Sequence, residues 1–193
     1  MKKLFLFSVC AFILSAGCAT AKPAASVNNR LPPAADLSTT RLLVTMEAAT
    51  YMRTPYASPA NIPLTFDCSS FVSYVYGQFG YNLPRATSAY QNVGTKIEWK
   101  DALPGDILVF AEGKGSSRID HVAMLWKKSD SGALAGSWII HAASINTYSS
   151  MQRGNPDTRT GVVITQLGLR GDGIVENEYF YQRFMFCTRV LEG

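Results

Sequence analysis

The chain reads as an α+β domain with an antiparallel sheet, and three observations carry that reading. Segments with helical spacing come first, over Thr40–Met52 and again from Cys68 to Phe79. β-patterned runs come afterwards, from Ile107 onward, and no second helical block follows them. Polar, glycine-bearing loops such as Glu112 to Arg118 join the strands, as hairpin connections do.

The first residues have the form of an export signal. Met1-Lys2-Lys3 is a basic start, and Leu4 to Leu14 is an apolar run too short to span a bilayer. Leu14-Ser15-Ala16-Gly17-Cys18 resembles the lipobox of bacterial lipoproteins, in which the cysteine is acylated and becomes the first mature residue. The competing reading is ordinary cleavage after Ala19-Thr20-Ala21, which would release a soluble protein. On the lipobox reading, residues 1–17 are a signal peptide, 18–37 a tether rich in Ala, Pro, Ser and Asn, and 38–193 the folded domain. The expected location is the cell envelope, held to the membrane through the lipid on Cys18. Ala19 after that cysteine suggests the outer membrane, facing the periplasm, in a Gram-negative host.

Composition bounds the rest. The chain has 193 residues, 47% hydrophobic and 17% charged, enough for one domain with a proper core. A formal charge of +4 includes Lys2 and Lys3 of the leader, and no basic run with interleaved aromatics occurs, so nucleic acid is not an expected partner.

Each element has a local cause. Asp36 or Ser38 can cap the first helix, whose apolar face is expected to be Leu42, Leu43, Met46, Ala49 and Met52. A connection carrying Pro55, Pro59 and Pro63 leads to Asp67-Cys68-Ser69-Ser70. There Cys68, Val72, Val75 and Phe79 share one helical side, and Gly80 is placed to close the helix. A short helix is expected over Ser88–Val93, and Leu103-Pro104-Gly105-Asp106 is a turn. Strands follow at Ile107–Phe110, His121–Trp126, Trp138–Ala143 and Gly161–Gln166, and a last one is expected over Tyr179–Leu191.

The chemistry centres on Cys68. A thiol at a helix start meets unsatisfied N–H groups and the positive end of the helix dipole, which favour thiolate. A buried core cysteine could occupy the same place. A nucleophilic thiol needs a base in reach, itself oriented by a third polar group. The chain has only two histidines, His121 and His141, both in strand-like runs on either side of one loop. Cross-strand neighbours on one face lie about 5 Å apart at Cβ, close enough for the two rings to bond. Two other readings compete. Zinc could take Cys68, His121 and His141, although no close-spaced metal motif accompanies them. Cys68 and Cys187 could pair as a disulfide in an exported protein, although Cys187 sits within an apolar run.

Phe66-Asp67-Cys68-Ser69-Ser70-Phe71-Val72 resembles the D-C-S-G-F-V signature of the NlpC/P60 cell-wall cysteine peptidases. The likeness continues in order through Leu83-Pro84-Arg85 with Ser88 and Gln91, Pro104-Gly105-Asp106-Ile107 with Phe110, His121-Val122-Ala123-Met124 and Ile140-His141-Ala142, over roughly residues 40 to 191. It implies a papain-like α+β fold in which the nucleophile's helix packs on a central antiparallel sheet. It also implies Cys68 as nucleophile, His121 as base and His141 as the orienting third residue. Tyr56, Asp67 and Ser69 are carried over as residues near the nucleophile that meet substrate. The implied activity is hydrolysis of amide bonds in peptidoglycan stem peptides through a thioester acyl-enzyme, with no metal or organic cofactor. A binding lipoprotein without turnover is the alternative, as is an amidase or acyltransferase of the same fold. Ser70 stands where the signature has glycine, and Ala57-Ser58-Pro59-Ala60-Asn61 replaces the usual paired glycines. The loop between the histidines and the polar tract from Ser144 to Asp157 are both extended. These departures bear on substrate choice.

Overall fold

The computed structural model describes residues 36–144, 160–169 and 175–191. The leader, Cys18, the tether up to residue 35, and the polar tract beyond Ser144 lie outside those residues. Helix α1 spans Leu37–Thr50 and α2 spans Cys68–Gly77; a 3-10 helix covers Thr87–Asn92. Strands β1 (Thr95–Ile97), β2 (Ile107–Ala111), β3 (Ile119–Lys127), β4 (Trp138–Ala143) and β5 (Gly161–Gln166) follow. After these come β6 (Gly168–Leu169), β7 (Val175–Asn177), the one-turn helix α3 (Glu178–Tyr181) and β8 (Phe184–Arg189). Six strands form one antiparallel sheet in the order β1-β8-β2-β3-β4-β5, and β6 and β7 pair separately. The α+β expectation holds.

Pleat alternation divides the apolar side chains between two clusters, one on each face of the sheet. Ile107, Val109, Val122, Met124, Ile140 and Ala142 pack beneath α1 and α2, with Phe66, Phe71 and Val75. Leu108, Phe110, Ala123, Leu125 and Ile139 project to the other side, where they meet Phe180 and Cys187. Among the described residues Cys68 and Cys187 are free thiols, and they belong to opposite clusters. The disulfide reading is thereby set aside.

Helix α1 departs from its expected orientation. Its buried residues are Thr40, Arg41, Val44, Thr45 and Ala48, whereas Leu42, Met46 and Met52 are exposed. The cause is electrostatic. Asp106, with no exposed surface, accepts from Arg41 Nη1 at 2.8 Å and from Arg189 Nε and Nη2 at 3.1 and 2.8 Å. Its Oδ2 also takes the Leu103 N–H at 2.8 Å. An ionised carboxylate can be buried only when paired and hydrogen-bonded, so α1 turns Arg41 inward and its larger apolar side chains outward. The helix begins at Leu37 rather than Thr40, and Asp36, one of the two expected caps, accepts from the Thr39 N–H at 2.8 Å.

The end of the chain holds a second correction. Tyr179 to Tyr181 lie in α3 rather than in a strand; only Phe184–Arg189 joins the sheet, pairing with β1 and β2. β1 itself has too few apolar residues to signal a strand, and its register on β8 defines it. Glycine is obligatory at the start of β5. Gly161 has φ +108°, and a Cβ there would sit 2.3 Å from the Thr54 carbonyl oxygen, where the turn after α1 crosses the start of β5.

Replacing Asp106 by Ala leaves two arginines facing each other beneath α1. We expect a loss of about 3–5 kcal/mol in urea unfolding, against less than about 1 kcal/mol for removal of the exposed Glu112–Arg118 pair.

Candidate active site

Cys68 opens α2, and a reciprocal cap fixes it there. Asp67 Oδ1 accepts from the Ser70 N–H at 2.7 Å, and the Asp67 N–H donates to Ser70 Oγ at 2.8 Å. This is a capping box in which Ser70 takes the place more often held by Glu or Gln. The serine that departs from the D-C-S-G signature thus has a visible task in setting the helix start. Ser69 is buried and donates to the Arg85 carbonyl at 2.6 Å, with Asp67 Oδ1 at 3.1 Å; this ties Leu83-Pro84-Arg85 to the same point. Asp67 and Ser69 are therefore engaged in positioning Cys68, and neither lines the pocket into which the thiol opens.

That pocket has a volume of about 150 Å³ and is walled by Tyr56, Cys68, Asp120, His121, Ala142 and Tyr179 among others. The Cys68 sulfur lies 3.8 Å from Thr87 Oγ1 and 4.0 Å from the Asp120 carbonyl, at the start of β3. Tyr56 reaches the pocket through a short parallel bridge. The Ala57 N–H donates to the Phe66 carbonyl and the Phe66 N–H to the Pro55 carbonyl, each at 3.0 Å.

The two histidines are joined: His121 Nε2 lies 2.9 Å from His141 Nδ1. They do not face each other squarely across the sheet. The β3–β4 register pairs Met124 with Ile140 and Leu125 with Ile139, which sets the histidines on one pleat but diagonally displaced. Both rings pack on Phe180 of α3, each at a centroid distance of 4.8 Å. Beyond His141, its Nε2 lies 3.0 Å from Thr165 Oγ1 on β5. His141 is fully buried, and His121 keeps part of its surface at the pocket. With both His141 ring nitrogens facing His121 and Thr165, His141 has no lone pair directed toward Cys68. Among the described residues no cluster of three metal-binding side chains forms.

Burial dominates the electrostatics. It pushes the Cys68 thiol above its ordinary range, against the opposing pull of the Thr87 hydroxyl and the Val122 backbone. Burial also lowers His121 from 6.5 to about 3, even though its ring edge meets the pocket. His141 is lowered by burial first and by its neighbour His121 second. All three shifts favour a resting thiol beside neutral imidazoles, so the thiolate-favouring helix start meets an opposing desolvation. Tyr56 is raised to about 12, by burial first and then by Cys68, Asp67 and Asp120, so it keeps its proton as a donor.

Sequence reasoning missed four participants. Thr87 and Asp120 each neighbour a residue that was singled out, but nothing marks them locally. Thr165 is a buried hydroxyl in the run Val162-Val163-Ile164, a signal that could have been noticed. Phe180 was read as part of a strand.

A cysteine at a capped helix start, with a two-imidazole relay at the rim of an antiparallel sheet, defines a papain-like class of α+β domain. Within that class the chain belongs to the NlpC/P60 family, whose family model matches residues 53–164. A probable endopeptidase p60 of Listeria seeligeri is 40% identical over 73 residues, which cover 38% of this chain and 14% of that relative. Among solved structures, an NlpC/P60 family protein from Bacillus cereus has a TM-score of 0.61 at 21% identity, over 86% of this chain and 43% of that one. The NlpC/P60 domain of the peptidoglycan hydrolase SagA has a TM-score of 0.51 at 26% identity, over 78% of this chain and 98% of that one.

Two buried neutral histidines make acid stability a test of the geometry. Their folded pKa values lie below the ordinary 6.5, so between about pH 6.5 and 3 the unfolded chain binds more protons than the folded one. Stability is expected to be complete above about pH 6.5 and to fall as the pH drops toward 3. His141→Asn should show a shallower fall over the same window in thermal unfolding; an equal slope in both proteins would contradict burial of the neutral ring.

Proposed function

We propose that the protein is a cysteine hydrolase acting on amide bonds of peptidoglycan stem peptides, with Cys68 as nucleophile, His121 as base and His141 as the residue that orients it. The observation that carries this reading is the 2.9 Å link between His121 and His141 at the pocket that also exposes Cys68. Family membership and the peptidoglycan hydrolase among its structural relatives support the substrate class.

On this reading, bound substrate displaces water from the pocket, and His121 Nδ1 takes the proton from the Cys68 sulfur. The thiolate attacks the amide carbonyl carbon and makes a tetrahedral oxyanion. Backbone N–H groups at the start of α2 stabilise the developing charge, and the Tyr56 hydroxyl is a further donor in the same pocket. The C–N bond breaks, His121 gives its proton to the departing amine, and a thioester remains. Water then adds to the thioester with its proton passing to His121, the C–S bond breaks, and the acid leaves as the thiol is restored. Every step moves a proton between groups that are neutral at rest, as burial of the site requires. The residues named need no metal or organic cofactor for any of these steps.

We further propose that the domain is exported and held to the membrane by a lipid on Cys18, as the lipobox-like Leu14–Cys18 suggests. Palmitate labelling of cells should mark the wild-type protein and not Cys18→Ala; unlabelled wild-type protein would overturn the anchor.

Incubation of wild type and Cys68→Ala with a panel of muropeptides, read by mass spectrometry, tests the hydrolase. Products are expected from wild type alone, with at least about a 1,000-fold loss in the variant. Equal cleavage by both would refute the assignment.

A further inference from the structure

We infer that Thr165 is a positioning residue that sets the tautomer of His141, and through it the protonation of His121. The inference rests on the proposed roles of Cys68 and His121. It follows from the line His121–His141–Thr165, a polar diagonal crossing β3, β4 and β5 on one pleat, with links of 2.9 and 3.0 Å.

The direction of hydrogen bonding along this line is dictated by the reaction. When His121 holds the Cys68 proton, both its ring nitrogens carry hydrogen, so its Nε2–H must find an acceptor. The atom facing it is His141 Nδ1, which accepts only if the His141 proton is on Nε2. That N–H belongs to a ring with no exposed surface, and Thr165 Oγ1 stands at 3.0 Å to accept it. A hydroxyl has two lone pairs and can accept here whatever its own proton does. The same arrangement prepares the resting state: His141 with its proton on Nε2 receives the His121 Nε2–H and leaves His121 Nδ1 bare for the thiol.

The opposite tautomer is unproductive. With the His141 proton on Nδ1, that ring donates to His121 Nε2, so neutral His121 carries its proton on Nδ1 and cannot take another from Cys68. The Thr165 hydroxyl could also donate to a bare His141 Nε2, so its loss removes a partner from either tautomer. The productive one loses more, because a buried N–H left without an acceptor is costlier than an imidazole lone pair left without a donor, and the balance shifts toward the unproductive one. Position 165 therefore governs a proton it does not touch in the reaction. Its place in the register explains how it reaches His141. β5 sets Val163 directly opposite His141, and Thr165, two residues along the same pleat, leans back over the ring from its place opposite Ile139.

The test compares Thr165→Val, nearly isosteric but without the hydroxyl, with Thr165→Ser, which restores it. Muropeptide kinetics of Thr165→Val should show kcat reduced roughly 10- to 100-fold, with KM within about twofold of wild type. Thr165→Ser should recover to within about threefold of wild-type kcat. Nitrogen-15 NMR of the imidazoles gives a readout independent of activity. Wild type and Thr165→Ser should show His141 protonated on Nε2, and Thr165→Val a growing share protonated on Nδ1. An unmoved tautomer in Thr165→Val, or a Thr165→Ser protein as impaired as Thr165→Val, would overturn the inference. Because the NMR measurement can be made on Cys68→Ala, it decides the role of Thr165 even if the hydrolase assignment falls; an unmoved tautomer alongside a Cys68-dependent activity would remove Thr165 alone.

Discussion

The burial of one carboxylate governs how the layers meet. Asp106 has no exposed surface, and its two oxygens hold Arg41 of α1, Arg189 of β8 and the turn that launches β2. The same turn reaches α2, because the Tyr76 hydroxyl donates to the Gly105 carbonyl. Arg41 also donates to the carbonyls of Pro104 and Leu191, so the chain's last described residue is drawn to the same point. Both helices and two central strands are thus referred to a single turn. Helix α2, which Cys68 opens, and the strand next to β3 cannot shift independently of each other.

The site itself sets two electrostatic tendencies against each other. A capped helix start favours charge on the sulfur, while removal from water disfavours charge on sulfur and imidazole alike. Burial is the larger influence on all three groups, and it favours a neutral thiol and neutral imidazoles. Phe180, packed against both imidazoles, helps to keep the relay dry.

Much of this was legible in the sequence, and what was not has definite causes. The helix opening at Cys68 and the strand Trp138–Ala143 could be read because local caps and apolar runs determine them. The rotation of α1 could not be read from its own residues, since Arg41 faces inward only to meet an aspartate 65 positions away. The aromatic run at Tyr179–Tyr181 looks like a strand by composition and folds as a helical turn, because Phe180 fills the space over two imidazoles. The diagonal from His121 to Thr165 depends on strand register, which apolar alternation specifies only to the correct face. The chain's two histidines are visible in its composition, and register decides how they are joined.

The bridge between Tyr56 and Phe66 has a consequence for the chain that it encloses. Two backbone hydrogen bonds pinch the chain at Ala57 and Phe66, so that the residues between form a loop whose ends are already fixed. Such a loop can gain, lose or exchange residues while Tyr56 and Cys68 stay in register with each other. Here that loop carries Pro59 and Pro63. The clasp separates a part that is mechanically committed from a part that is not, within a few residues of the Cys68 sulfur.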